Sequence, residues 1–411
     1  MQEQILIIAV KHPSQTDEHF DSSLEELSSL CDTAGGLVKQ VVTQKRNRIH
    51  PATYIGEGKI EEIKNYVEEL EIDLIISNDE LSAGQSRNLS DQLCIPLIDR
   101  SQLILDIFAM RAKTKEGKLQ VELAQLQYLL PRLHGQGTQM SRLGAGIGTR
   151  GPGETKLETD QRHIRRRIHD IKRRFQVVVS QREQYRKRRK TNKAFQIAIV
   201  GYTNAGKSTL FNKITNEQSL EEDQLFATLD PLTRHFRLPS GFQALITDTV
   251  GFLQDLPTSL IAAFRSTLEE VTEADFILHV VDGSSDDKGQ HQETVGKLLQ
   301  DLDAASIPML TVYNKKDKMN EKFIPDNHPY IVISAFDQDD IERLFAKIES
   351  LLEAEWEWYS TVLEPDKGKM INRLEHETIM KNNKYDEKQD AYIVNGFIRQ
   401  EHPLQNILRE Q

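Results

Sequence analysis

Four short apolar runs rich in Ile and Val open the chain, at Ile5 to Val10, Leu37 to Val42, Ile72 to Ser77 and Ile95 to Asp99, with helix-patterned stretches between them. Buried strands alternating with amphipathic helices predict an α/β unit with a largely parallel sheet over residues 1–112. The period then changes. Leu119, Leu123, Leu126, Leu130 and Leu133 recur at steps of four and three, as do Ile164, Ile168, Ile171, Phe175 and Val178. Each set forms one apolar stripe on a helix, the seam of a coiled coil. Between the stripes, Gly135 to Gly153 holds seven glycines, too many for regular structure. Residues 113–193 therefore read as an antiparallel helical hairpin with a long flexible tip.

The α/β alternation resumes over residues 194–357. Strands are expected at Gln196 to Val200, Ala244 to Asp248, Phe276 to Asp282, Met309 to Asn314 and Tyr330 to Ser334, with helices at Leu260 to Val271 and Ile341 to Leu352. Pro239-Ser240-Gly241 reads as a hairpin turn, which makes one strand antiparallel. Residues 358–411 form a small C-terminal domain or docking element, with a polar helix-like stretch and an alternating strand at Tyr392 to Ile398. The fold class is thus α/β throughout, interrupted by the hairpin. Gly56 and Gly58, ahead of a helix, read as an ordinary turn rather than an anion cradle.

Net charge is −11, which by itself argues against nucleic acid. The average conceals an asymmetry. Residues 111–193 carry 22 basic and 7 acidic side chains, a local balance of +15, which leaves −26 elsewhere. Cys31 and Cys94, far apart and without ligand-spaced companions, suggest buried free thiols. With no signal-peptide pattern at the N-terminus and no apolar span, the expectation is a cytoplasmic monomer without integral membrane association.

The second α/β region carries the chemistry. Gly201-Tyr202-Thr203-Asn204-Ala205-Gly206-Lys207-Ser208 follows an expected strand and opens an expected helix, as a P-loop must. Its backbone N–H groups turn onto phosphates, Lys207 neutralises the β and γ oxygens, and Ser208 offers a hydroxyl to Mg²⁺. Asp248-Thr249-Val250-Gly251 ends an inner strand. Its carboxylate can hold Mg²⁺ through water, and the Gly251 N–H can bond a γ-phosphate. In Asn314-Lys315-Lys316-Asp317, the Asp317 carboxylate can accept two N–H groups of a guanine edge, which adenine does not present. Ser334-Ala335-Phe336 closes the base pocket. GTP and GDP are therefore the expected substrate and product.

A mobile loop must also bring a threonine to Mg²⁺ and the γ-phosphate. Within Phe226-Ala227-Thr228-Leu229-Asp230 and just beyond, Thr228 and Thr233 are equally eligible by sequence. Where Ras-like enzymes place a water-orienting Gln, this chain has Phe252. A phenyl ring polarises no water, so intrinsic hydrolysis should be slow, with the missing group supplied by a partner, the backbone or an ion. Asn204 resembles the K⁺-binding asparagine of potassium-activated GTPases, or ties down its own loop.

The tip from Gly135 to Glu158, with Gly201-Tyr-Thr-Asn-Ala-Gly-Lys-Ser and Asp248-Thr-Val-Gly-Phe252, resembles the HflX-type GTPases. That resemblance implies Ser208 and Thr228 as Mg²⁺ ligands, with Lys207, Thr228 and Gly251 serving hydrolysis, and an apolar residue at Phe252. It also implies binding to the 50S subunit and the 70S ribosome through rRNA. The N-terminal region would insert toward the peptidyl-transferase centre and separate stalled or idle ribosomes. Arg165, Arg166 and Arg167 on the second hairpin helix, with Arg142 and Arg150 in the tip, are the candidate rRNA contacts. A GTPase of ribosome assembly or RNA modification, and a nucleotide-gated RNA clamp, remain the competing readings.

Overall fold

A computed structural model describes residues 2–133, 156–191, 194–216, 226, 228–253, 268, 270–320, 323–400 and 402–409. The glycine-rich tip with Arg142 and Arg150, Ala227, and nearly all of the helix expected from Leu260 lie outside the described residues, as do the side chains of residues 182–190. The chain divides into two compact units. One holds residues 1–181 together with 224–230 and 254–265, and the other holds the remainder.

In the first unit, strands β1 (Gln4–Lys11), β2 (Leu37–Lys45), β3 (Leu74–Ser77) and β4 (Leu97–Asp99) form a parallel sheet in the order β2-β1-β3-β4. Helices α1 (Asp17–Thr33), α2 (Glu57–Glu69), α3 (Ala83–Leu93) and α4 (Arg100–Arg111) connect and follow them. Parallel strands need such crossovers, and apolar runs without alternation are what a sheet covered on both faces requires. Leu6, Ile8, Ile75, Ile60, Ile63 and Leu89 lie in one core. Arg100, nearly inaccessible, pairs with Glu26 and donates to Ser23 O at 3.2 Å and Asn78 Oδ1 at 3.1 Å, which pins α4 to α1 and the end of β3. Gly56 caps α2 and its N–H donates to Gln44, as expected of a turn. The thiol expectation holds for Cys31 only. Burial, aided by Asp32, pushes its pKa up to about 12, whereas Cys94 is exposed at the left-handed end of α3.

Helices α5 (Lys115–Arg132) and α6 (Lys156–Thr191) carry the two apolar stripes. Arg167 bridges to Glu122 at 2.6 Å, linking the two helices, and Ile171 is fully buried. The α5 stripe is not only a hairpin seam, because α5 packs along α4 and α3. Its end is fastened there by Arg132, which donates to Leu81 O at 2.7 Å and Asp99 Oδ2 at 3.1 Å.

The second unit is built on a six-stranded sheet of β5 (Phe195–Gly201), β6 (Leu232–Arg237), β7 (Gln243–Asp248), β8 (Phe276–Asp282), β9 (Met309–Asn314) and β10 (Tyr330–Val332), ordered β10-β9-β8-β5-β7-β6. All neighbours are parallel except β6 and β7, joined by the hairpin at Gly241. Helices α7 (Lys207–Thr215), α8 (Lys288–Asp301) and α9 (Gln338–Glu355) complete this layer. The chain then forms β11 (Glu357–Leu363), α10 (Gly368–Glu377), β12 (Ile379–Asp386), β13 (Ala391–Ile398) and α11 (Pro403–Arg409), with an antiparallel sheet ordered β11-β13-β12. This C-terminal part is rooted in the larger core, where Ile379 is fully buried and Trp356 and Phe397 pack.

Candidate nucleotide site

The P-loop, Asp248 and Asn314 sit at the carboxyl ends of β5, β7 and β9 respectively, where open α/β sheets bind ligands. Gly201 has φ 155°, and a Cβ there would stand 2.2 Å from Val280 O. Gly206 has φ 89°, and its Cβ would meet Asn314 Nδ2 at 2.2 Å. Both must be glycine for the loop to pass. Asn204 takes a left-handed φ of 57° with its side chain exposed. Asn314 is the clasp of the site. Its Nδ2 donates to Ala205 O at 3.0 Å and its Oδ1 accepts from Ala335 N at 3.0 Å, joining the P-loop to the base loop.

Lys207 lies buried with Nζ donating to Tyr202 O at 2.6 Å. Burial lowers its pKa to about 8, against an opposing pull from Asp248. A phosphate would restore the charge, so nucleotide binding above pH 8 should take up a proton. Affinity for GDP is expected to be flat from about pH 7, above the second ionisation of a phosphate, to about pH 8, and to fall by up to about tenfold per unit above that. Calorimetry at pH 8.5 in buffers of different ionisation heat measures the uptake, and binding without it contradicts the assignment.

Ser208 Oγ donates to Asp248 Oδ2 at 2.8 Å, so a hydroxyl and a carboxylate already meet where a hard cation would sit. Thr249 is fully buried and donates to Ile199 O, fixing the strand end before Val250 and Gly251. A Cβ on Gly251 would approach Lys207 Nζ to 3.0 Å, so its backbone passes close to the phosphate-binding lysine. Phe252 is buried. Its N–H donates to Gly201 O at 3.2 Å and its carbonyl accepts from Thr203 N at 2.8 Å, which ties it to the P-loop and away from any water-orienting role.

Asp317 Oδ1 accepts from Ser334 Oγ at 2.7 Å, holding the base-reading carboxylate. Lys315 pairs with Asp282 at 2.7 Å, and Lys316 with Asp340 at 3.1 Å. Burial works against the charge of Asp340, but the Ser334 N–H, Lys316 and Arg343 outweigh it and hold its pKa below the usual carboxylate range. Asp282 and Asp340 escaped sequence reasoning because nothing in their local spacing announces partners 33 and 24 residues away. Phe336 is 68% exposed, with Lys213 Nζ 5.7 Å from its ring centre. His279, buried beneath the site, is pushed down to about 4 by burial and by Lys207, so it stays neutral. Tyr202 stacks on His291 at 3.8 Å.

The loop threonines separate. Thr233 lies in β6 with Oγ1 2.9 Å from Thr247 Oγ1, locked in the sheet, while Thr228 lies outside regular structure. Residues 226–230 belong to the first unit. Phe226 packs edge-on against Phe108 at 4.5 Å, and Leu229 is buried. The Asp230 side chain, expected among the nucleotide contacts, is engaged elsewhere. It accepts from Lys113 N at 3.0 Å, Thr114 N at 2.9 Å and Thr114 Oγ1, just ahead of α5. A Cβ on Gly117 would come within 2.4 Å of Asp230 Oδ1. Asp230→Ala is expected to destabilise the first unit by roughly 2 kcal/mol, since charge-assisted bonds to a helix start disappear. Gly117→Ala should reproduce the defect by steric conflict. Urea unfolding checks both, and unchanged midpoints would remove this latch from the account.

Among the described residues no cluster of three or more His, Cys, Asp or Glu could hold a metal, and no helix is long and apolar enough to cross a membrane. Three family models match in register with these parts. A GTP-binding GTPase N-terminal model covers residues 21–109, a GTP-binding GTPase middle-region model covers 111–189, and a model described as 50S ribosome-binding GTPase covers 196–315. Among similar proteins, the GTPase HflX of Alkalihalophilus pseudofirmus is 53% identical over 399 residues, 97% of this chain and 94% of that one. That of Caldanaerobacter subterraneus subsp. tengcongensis is 48% identical over 94% of this chain and 89% of that one. The Escherichia coli GTPase HflX is 44% identical over 85% and 84%. With P-loop, base clasp and full-length similarity in agreement, the chain belongs to the HflX family of GTPases and hydrolyses GTP to GDP and phosphate.

Proposed function

We propose that this GTPase binds the large ribosomal subunit through rRNA and separates stalled or idle 70S ribosomes into subunits, with hydrolysis stimulated by the ribosome. The observation that carries this reading is the joining, in one chain, of the nucleotide site to a helix with Arg165, Arg166 and Arg167 all exposed. The description of the matching GTPase model as 50S ribosome-binding points the same way. The chain works as four segments, residues 1–112, 113–193, 194–357 and 358–411, the second of which grips RNA. Co-sedimentation with 50S, 30S and 70S particles, in GDP and in a non-hydrolysable GTP analogue, tests the reading. Analogue-dependent binding to 50S and 70S is expected, and binding to neither particle refutes it.

Within the site, Ser208 and Thr228 would hold Mg²⁺ directly and Asp248 through water. Bound there, the ion would supply positive charge against the charge that develops on the phosphates. The P-loop N–H groups cradle the phosphates, Lys207 charges against them, and the Gly251 N–H senses the γ-phosphate. No side chain at Phe252 orients the attacking water, so the ribosome, the backbone or a K⁺ ion held at Asn204 must do so. Thr228→Ala is expected to lower turnover at least about tenfold and to spare GDP affinity, because the hydroxyl it removes would serve Mg²⁺ beside the γ-phosphate, which GDP lacks. Thr233→Ala should change turnover little. The opposite ranking in single-turnover hydrolysis would exchange the two roles.

A further inference from the structure

We propose that a cavity at the far end of the GTPase sheet, roofed by the C-terminal segment, binds an aromatic anion the size of a nucleoside monophosphate. It is independent of the GTP site. Its floor begins at Phe195, the first residue of β5, and the P-loop begins at Gly201, so at ~3.3 Å per residue the two sites are ~20 Å apart along one strand. All its described lining residues belong to the second unit.

The cavity encloses about 380 Å³, within the range of small-ligand sites. Its floor is aromatic. Phe195, Phe242 and Trp356 pack edge to face, with ring centres 5.2 to 5.7 Å apart. The two phenylalanines are buried, whereas Trp356 keeps part of its surface accessible at the cavity. Such a triad is a stiff wall against which a flat ring can lie.

The rim has the opposite chemistry. Arg373 and His376 come from α10, Arg399 and His402 follow β13, and His235 comes from β6. Glu377 is the acidic residue among the described lining, and Arg373 engages it through Nε at 3.0 Å and Nη2 at 3.1 Å, with His402 Nε2 at 3.5 Å. Arg399 is steadied from outside the lining by Asp275 at 2.7 Å. Arg237 stands behind His376, Nη2 to Nδ1 3.5 Å. Among the described lining, two guanidinium groups and three imidazoles thus stand around one carboxylate. An excess of planar donors over an aromatic floor suits a ring bearing a phosphate or carboxylate. A free nucleotide and an unpaired 5′-terminal nucleotide of RNA share the chemistry.

The chain has two tryptophans, so full-length Trp358→Phe leaves Trp356 as the reporter in the cavity. With GDP saturating the P-loop, AMP, adenosine, inorganic phosphate and a 5′-phosphorylated oligoadenylate are titrated by fluorescence and calorimetry. AMP is expected to quench Trp356 saturably and to bind at least about tenfold tighter than adenosine or phosphate. Arg399→Ala and His376→Gln should each weaken it at least about fivefold while GDP affinity, which reports the fold, is unchanged. Saturable binding of the oligonucleotide alone supports the site and assigns its ligand to RNA. The proposal is overturned if neither AMP nor the oligonucleotide gives a saturable signal up to about 10 mM, if adenosine binds as tightly as AMP, or if both variants bind normally.

Discussion

Asp317→Asn is expected to lower GTP affinity on the order of 100-fold and to raise affinity for xanthosine triphosphate. The Asp317 carboxylate is held by the Ser334 hydroxyl at 2.7 Å, in a loop braced by Asp340 on Ser334 N at 2.9 Å and by Asn314 on Ala335 N. An amide at this position keeps an oxygen for Ser334 but turns a donor toward the base, where guanine also presents donors. Loss of one or two bonds to a charged acceptor costs ~3 kcal/mol, and each 1.4 kcal/mol is tenfold. Xanthine replaces the exocyclic amino group with a carbonyl that accepts from the new amide, so the loss becomes a change of preference. Competition binding among GTP, XTP and ATP measures it. Equal affinity of the unaltered protein for ATP and GTP would remove the basis for the expectation.

The second large effect concerns the basic helix. Neutralising Arg165, Arg166 and Arg167 should weaken ribosome binding and flatten its salt dependence by ~0.9 in log–log slope for each rRNA phosphate that is no longer neutralised. Arg167 is bridged to Glu122 at 2.6 Å, so it should contribute less than the other two. Shortening residues 144–153 should instead leave most of the affinity and abolish subunit separation, since the proposal gives the grip to the Arg-rich helix and the separation to the tip. Both variants should bind GDP normally, because neither change touches the P-loop or the base clasp. A salt titration of 70S binding and a subunit-separation assay distinguish the two failures. Normal binding of the triple variant across that titration, or separation at the original rate without the tip, sinks the ribosome-splitting reading.

The sequence by itself determined the alternation of elements and the nucleotide chemistry, for a physical reason. Strand and helix periods are local, and the P-loop, Asp248 to Gly251 and Asn314 to Asp317 each act through contiguous backbone. Strands β8 and β9 therefore fall at the expected residues, and the hairpin at Gly241 makes β6 antiparallel. Elements with weak periodicity, β11 and β12, were not legible, since their identity comes from pairing with β13 and from Ile379 entering a core assembled far upstream. Only the tertiary structure decided where side chains with several eligible partners went. It locked Thr233 against Thr247, gave Asp230 to the start of α5 116 residues away, and laid α5 along α4. It also gathered three imidazoles and two guanidinium groups around Trp356. A carboxylate or an imidazole carries no periodic signal of its partner. Its role is set by which long-range interaction satisfies it once the chain is folded.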